Sequence, residues 1–273
     1  MSAKLPTAQH IVDILIEERA PKLAASPFWP ILKLALNALL GYDKAVEMVD
    51  FVNDKSGLAA LLYVSNLLAL RNSTKGFERV PKSGRLIIVA NHPTGIADGV
   101  ALFDVLHAFR KDIKFYANAD AIRCCARFDE TIIPVEWVLE KRTREKTRLT
   151  LQETKLALES EKALAIFPAG RLARVEKGKL IDPEWSQSAV SIAKKYNAPI
   201  LPVRIEGPNA FWFHLFDKVS QELRDITLFH ELLNKKNKEY RLIAGPLIFP
   251  AELDADNVKA TLMLKSYIES ELS

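Results

Sequence analysis

Apolar positions along this chain change their spacing near residue 85. Before that point they fall at helical intervals. Trp29 and Pro30 open the stretch PILKLALNALLGY, and Gly41 near its end supplies a stop, which predicts one helix. A short amphipathic segment over 43–52 predicts a second and the run GLAALLYVSNLLAL over 57–70 a third. The following RNSTKGFERVPKSG, rich in Gly, Ser and Pro, reads as loop.

After residue 85, short apolar runs at 86–90, 114–117, 131–137, 163–167, 199–205 and 241–249 alternate with helical patterns at 99–109, 143–160, 185–195 and 257–272. Strands separated by helices of this length predict an α/β fold: a layered mixed, largely parallel sheet with helices on both faces. The division expected is a helical segment over 1–80 and an α/β domain over 81–273, with no internal repeat.

Composition narrows the class. Hydrophobic residues at 49% and charged residues at 26% exclude a disordered chain. A net charge of +4 is too mild for a nucleic-acid binder, so no nucleic-acid partner is expected, but it suits an anionic membrane surface or an anionic substrate. The two cysteines, Cys124 and Cys125, are adjacent and form neither a disulfide framework nor a zinc pair, which fits a reducing compartment. Asp13, Glu17 and Glu18 stand where a signal peptide would be apolar, and no apolar run reaches the ~20 residues of a bilayer span. A cytoplasmic protein, peripheral on the membrane, is therefore expected.

Common catalytic signatures are missing: the ten glycines form no dinucleotide fingerprint, P-loop or nucleophile elbow, and the histidines make no metal-binding pattern with the cysteines. What remains is VANHPTGIADG, where an apolar strand runs into Asn91-His92-Pro93, a turn with Thr94 and Gly95, and Asp98 at the head of a helix. The carboxyl end of such a strand is where ligands gather. Asp98 in reach of His92 would hold one imidazole nitrogen protonated and leave the other to act as a general base on a substrate hydroxyl. Taken alone, the same residues also describe a helix N-cap and an ordinary loop histidine.

Two later blocks change that balance: AIFPAGR, with Pro168, Gly170 and Arg171, and ILPVRIEG, with Arg204 inside an apolar strand. In order and spacing, over about 85–207, the three blocks resemble the glycerolipid acyltransferase superfamily, the lysophosphatidic-acid-acyltransferase-like enzymes. The resemblance implies an O-acyltransferase that needs no bound cofactor or metal and takes acyl-ACP (acyl carrier protein) or acyl-CoA as co-substrate. It makes His92 the base that deprotonates an acceptor hydroxyl and Asp98 its orienting partner, with backbone N–H groups near the turn as oxyanion donors. Asn91, Thr94, Gly95, Pro168, Gly170 and Arg171 then become substrate-binding residues. Five residues, not the usual four, separate His92 from Asp98, and Ala169 replaces the motif glutamate, with the arginine one position early. The spelling is similar to a hemolysin-like branch that includes ornithine-lipid-forming members, so the acceptor head group stays open.

From residue 140 to 179 there are eleven basic and six acidic residues. Arg142 and its neighbours to Arg148 are therefore candidates for an anionic acceptor group, and Arg204 is either paired or turned to a cleft. The apolar segments at 28–40 and 57–70 can dock on a membrane interface or pack on the core. Phe211, Trp212, Phe213 and Phe216 can line an acyl channel or fill the core. Two other readings compete with transfer: a non-catalytic lipid- or acyl-binding protein, and a thioesterase in which His92 activates water.

Overall fold

The structure, a computed structural model, describes residues 9–136, 141–176, 179–208 and 220–273. The aromatic segment with Phe211, Trp212, Phe213, His214 and Phe216 lies outside the described residues, as do Trp137 and Glu140.

Strand β2 (Leu86–Ala90, LIIVA) is buried at every position. Because side chains alternate across a strand, it feeds two cores. Leu86, Ile88 and Ala90 join one apolar cluster, while Ile87 and Val89 join another on the opposite face. A strand covered on both sides reads as a continuous apolar run, and that is why the sequence marks it so clearly.

Seven strands of the described residues make the main sheet. Their order is β1 (Arg71–Lys75), β9 (Glu239–Ala244), β8 (Ile200–Glu206), β2, β5 (Ala163–Ile166), β3 (Ile113–Asn118) and β4 (Ile132–Val135). Every neighbouring pair is parallel except β8 with β9. A hairpin of β6 (Arg174–Glu176) and β7 (Lys179–Ile181) stands apart from it.

The helices are α1 (Ile11–Arg19), α2 (Pro21–Ala24), α3 (Trp29–Leu40), α4 (Tyr42–Val52), α5 (Gly57–Leu68), α6 (Ile96–Leu106), α7 (Asp120–Cys124), α8 (Arg144–Glu159), α9 (Ser188–Tyr196), α10 (Gln221–Ile226), α11 (Leu228–Leu233) and α12 (Asn257–Ser266). Residues of α4, α5 and α6 complete the first cluster, and residues of α8, α9 and α12 the second. The sheet is therefore sandwiched, as expected for an α/β fold. Hydroxyl caps set three of these helix starts: Ser56 accepts from the Ala59 N–H, Thr143 from Lys146 and Ser220 from Leu223.

The structure corrects two element readings. Residues 71–75, expected as loop, form strand β1, which pairs in parallel with β9 from Arg71↔Glu239 to Lys75↔Ile243. Four of its five positions are exposed, so it carries no apolar alternation, and polar side chains on an edge strand discourage further pairing. The strand expected over 241–249 starts two residues earlier and ends at Ala244. Gly245 then turns the chain to donate to the Pro202 carbonyl, and Ile248 returns as a single bridge to Ile200.

Candidate active site

β8, β2 and β5 are adjacent and parallel, so their carboxyl ends share one edge of the sheet. His92 sits there, two residues past the end of β2. Asn91 fixes the exit of the strand. Its side-chain amide donates to the Ile205 carbonyl at 2.9 Å and accepts from the Ile205 N–H at 2.7 Å, tying the turn to β8. On the other side the imidazole lies against the Phe167 ring just past β5, with centroids 4.6 Å apart. Three strands therefore locate one side chain.

His92 Nδ1 is 2.9 Å from Asp98 Oδ2. Asp98 is wholly buried in the first turn of α6, where free backbone N–H groups need acceptors. Its Oδ2 accepts from the Thr94 and Gly95 N–H groups at 2.8 and 3.0 Å, and its Oδ1 accepts from Thr94 Oγ1 at 2.6 Å. Four donors offset the desolvation of one carboxylate. With Asp98 an acceptor, Nδ1 carries the imidazole proton and Nε2 is the basic nitrogen. The His92 side chain is 17% exposed against 0% for Asp98, so the carboxylate is sealed and the imidazole is reachable.

The turn absorbs its fifth residue through Gly95, at φ 96° and ψ −144°, a conformation essentially confined to glycine. A Cβ there would also lie 3.0 Å from Leu172. Behind Asp98 the network continues: Thr94 Oγ1 is 2.7 Å from the Tyr240 hydroxyl of β9. Thr94 spends its proton on Asp98, so Tyr240 is the donor. Burial, with the Asp98 charge behind it, pushes the Tyr240 phenol well above its ordinary pKa and keeps it protonated. Gly207 makes room for this contact, since a Cβ would meet Tyr240 at 2.6 Å and Thr94 at 2.9 Å.

A second carboxylate touches the His92 backbone from another direction. Both oxygens of buried Asp182 accept the His92 backbone N–H, at 3.2 and 3.1 Å, and Oδ2 also accepts from Trp185 Nε1 at 3.0 Å. Burial raises the Asp182 pKa to about 6 against the pull of His92, its N–H and the Trp185 indole.

Beyond Phe167 opens a pocket of about 950 Å³, open solvent included. Pro168, Ala169, Gly170, Arg171, Arg142 and Trp185 are among its lining residues. Two residues expected to bind substrate, Arg142 and Arg171, thus meet across one opening although 29 positions apart in sequence. Ala169 faces it where the usual motif carries a glutamate.

Not every expected residue joins them. Thr94 is wholly buried behind Asp98 and Asn91 is spent on β8. Arg204 is paired: it binds Glu206 at 2.9 Å and the Glu269 carbonyl at 2.8 Å, which ties β8 to the C-terminal turn. The N–H groups of His92, Thr94 and Gly95 are all engaged by carboxylates, so an oxyanion has to be met by other donors. Sequence reasoning missed Phe167, Asp182, Trp185 and Tyr240. Tyr240 alone left a signal, an aromatic hydroxyl at an inward strand position, where a buried phenol needs a partner. Both thiols are held up by burial, Cys124 to about 11, and neither is an activated nucleophile.

Comparison with known proteins follows the same lines. The acyltransferase family model matches residues 72–206, which include β2, the His92–Asp98 turn, the Pro168–Arg171 block and β8. A lyso-glycine lipid O-acyltransferase of Bacteroides thetaiotaomicron is 26% identical over 216 residues, 78% of this chain and 76% of the relative. One of Phocaeicola vulgatus is 25% identical over 209 residues, 73% of each. The crystal structure of the 1-acyl-sn-glycerophosphate acyltransferase PlsC from Thermotoga maritima shares the fold, with a TM-score of 0.50 at 15% identity, covering 93% of this chain and 95% of that one. With its helix-covered sheet and its matched central blocks, this chain carries an acyltransferase-family domain over residues 72–206 and shares the glycerolipid acyltransferase fold.

Proposed function

We propose that the enzyme moves a fatty acyl group from acyl-ACP or acyl-CoA to a hydroxyl of a lysophospholipid-like or other lysolipid acceptor, with His92 as general base and Asp98 as its orienting partner. The observation that carries this reading is the Nδ1–Asp98 contact of a partly exposed histidine, beside an arginine-bearing pocket and with no nucleophilic Ser or Cys hydrogen-bonded to the imidazole among the described residues. His92 Nε2 takes the acceptor proton as the oxygen attacks the thioester carbonyl. The tetrahedral intermediate collapses, the carbon–sulfur bond breaks, and the thiolate recovers the proton from the imidazolium. Asp98 stabilises the imidazolium throughout, and no acyl-enzyme forms.

For the acceptor we favour a lipid whose head group carries a carboxylate. Arg142 and Arg171 offer planar forks suited to that anion. Ala169 omits the negative charge of the usual motif, so Glu184 is the acidic residue that faces the two arginines in this lining. The relatives are named for a lyso-glycine lipid, an acceptor of this kind.

The lipid is taken at an anionic membrane surface, on the cytoplasmic face; what the orientation of α3 supports is contact with a membrane surface. Phe28, Ile31, Leu34 and Leu39 are exposed along one side, whereas Lys33 turns inward to Asp13 and Glu17 at 2.7 and 2.9 Å. A surface helix that hides its charge and shows its leucines suits the interface. Among the described residues no helix is long and apolar enough to cross a membrane. Replacing Ile31 and Leu34 together by Glu is expected to cut sedimentation with anionic vesicles at least about fivefold while acylation of a detergent-dispersed acceptor persists. Unchanged vesicle binding would remove α3 from the reading.

The reaction is tested with purified protein and a long-chain acyl-CoA. Thiol release that requires lyso-glycine lipid or lysophosphatidic acid establishes transfer, and the preferred acceptor reads out the head group. Release without acceptor would make the protein a thioesterase. No release with any acceptor, from acyl-CoA or from acyl-ACP, would leave a lipid-binding protein.

A further inference from the structure

We propose that Asp182 is a positioning residue for acyl transfer, holding the His92 peptide and the pocket wall at Trp185 together through one ionised carboxylate. The inference rests on the reading of His92 as general base and deepens it.

The grip is two-sided. The Ala173 N–H donates to the His92 carbonyl at 3.0 Å, and Asp182 accepts the His92 N–H, so the chain leaves the pocket at one contact and returns at the other, enclosing the β6–β7 hairpin. Just beyond, Trp185 lines the pocket and binds the same carboxylate, and the Ser186 N–H donates to the Pro168 carbonyl at 3.0 Å. A shift of the wall that contacts substrate is therefore carried to the catalytic side chain through a single group.

A peptide N–H needs one acceptor, and a carbonyl would serve. A buried carboxylate is a costly choice. Its pKa lies above the ordinary value, so the folded protein binds that proton more tightly than the unfolded chain. This group therefore favours the fold most at low pH, and that contribution declines as pH rises to about 6. The charged groups around it are His92 and Glu269. Glu269 accepts the N–H of Asp182 itself at 3.0 Å and is held by Lys265 at 2.5 Å, while Arg204 binds the carbonyl of Glu269. A charge at Asp182 weakens the fold at neutral pH, so its contacts to the His92 N–H and the Trp185 indole are held at a cost in stability.

The test is Asp182→Asn, assayed with acyl-CoA and lysolipid from pH 5 to 8. With its oxygen at the Oδ2 position the amide still accepts both N–H groups, but its NH2 then replaces the second oxygen that faced the His92 N–H at 3.2 Å, and the charge is gone. We expect kcat to fall about tenfold or more from the loosened imidazole. The acid limb, steepened in the wild type by protonation of Asp182, drops to a one-proton slope. The melting temperature of the variant relative to wild type rises as pH goes from 4.5 to 7. An unchanged limb steepness would overturn the proposal, because a merely structural Asp182 would lower the rate and leave the slope alone. Should the variant fail to fold, the wild-type protein answers by NMR. The Trp185 indole N–H, identified by its loss in Trp185→Phe, is expected to titrate together with the His92 amide near pH 6. An indole resonance static from pH 5 to 7.5 would equally overturn it. A fully active His92→Ala would sink the general-base reading and leave the Trp185 titration intact. A wild-type profile in Asp182→Asn beside an inactive His92→Ala would sink this inference alone.

Discussion

Replacing His92 by Ala is expected to reduce acyl transfer about a thousandfold while the protein stays folded, because the only base in contact with Asp98 among the described residues is then gone. The loss should fall on kcat, since no anchoring role for the acceptor belongs to the imidazole. Stability should drop by about 1–2 kcal/mol: Asp98 keeps three of its four donors, and the ring contact with Phe167 disappears. In a chain of this size that is a few degrees of melting temperature. Steady-state rates beside thermal unfolding decide the matter. A variant that keeps a tenth of the wild-type rate would rule out general-base catalysis by this residue.

The central part of the fold was legible because its strands are buried on both faces. β2 was predicted to the residue and β5 to within one, since a five-residue apolar run between turn residues has no other reading in an α/β chain. β1 was missed for the opposite reason: an exposed edge strand needs no apolar residue, and nothing in RNSTK distinguishes it from loop. The strand over 241–249 was overextended because the bend at Gly245 leaves Leu247 and Ile248 apolar, although they serve the core from a different chain path.

The site divides in the same manner. His92, Asp98 and Gly95 lie within seven consecutive positions, and local spacing exposes them. Asp182 and Tyr240 reach the same network from 90 and 146 positions along the chain from their partners, a closeness that only the assembled sheet creates. Thr94 illustrates the limit most sharply. A threonine in a turn beside a candidate catalytic histidine suggests a substrate contact, yet the turn folds inward and makes it the bridge between Asp98 and Tyr240.

That bridge determines what Asp98→Asn should do. An amide placed with its oxygen at the Oδ2 position keeps the Thr94 and Gly95 N–H groups and the imidazole Nδ1–H. Its NH2 then faces Thr94 Oγ1, which can reverse and accept, passing its own proton to the Tyr240 oxygen. The network therefore survives the substitution with one phenol proton displaced, at a cost of about 1–2 kcal/mol. The charge does not survive. Without it no carboxylate among the described residues contacts the imidazole ring that becomes charged when the acceptor loses its proton, Asp182 being bound to the His92 backbone N–H, and kcat should fall about a thousandfold with little change in KM. Asp98→Ala separates the two contributions. Four donors, two of them backbone N–H groups at a buried helix start, lose their acceptor, and the loss of stability should reach about 3–5 kcal/mol. A folded, fully active Asp98→Asn would show that orientation alone suffices and that the negative charge is dispensable. An Asp98→Ala as stable as wild type would mean that water replaces the carboxylate in the turn.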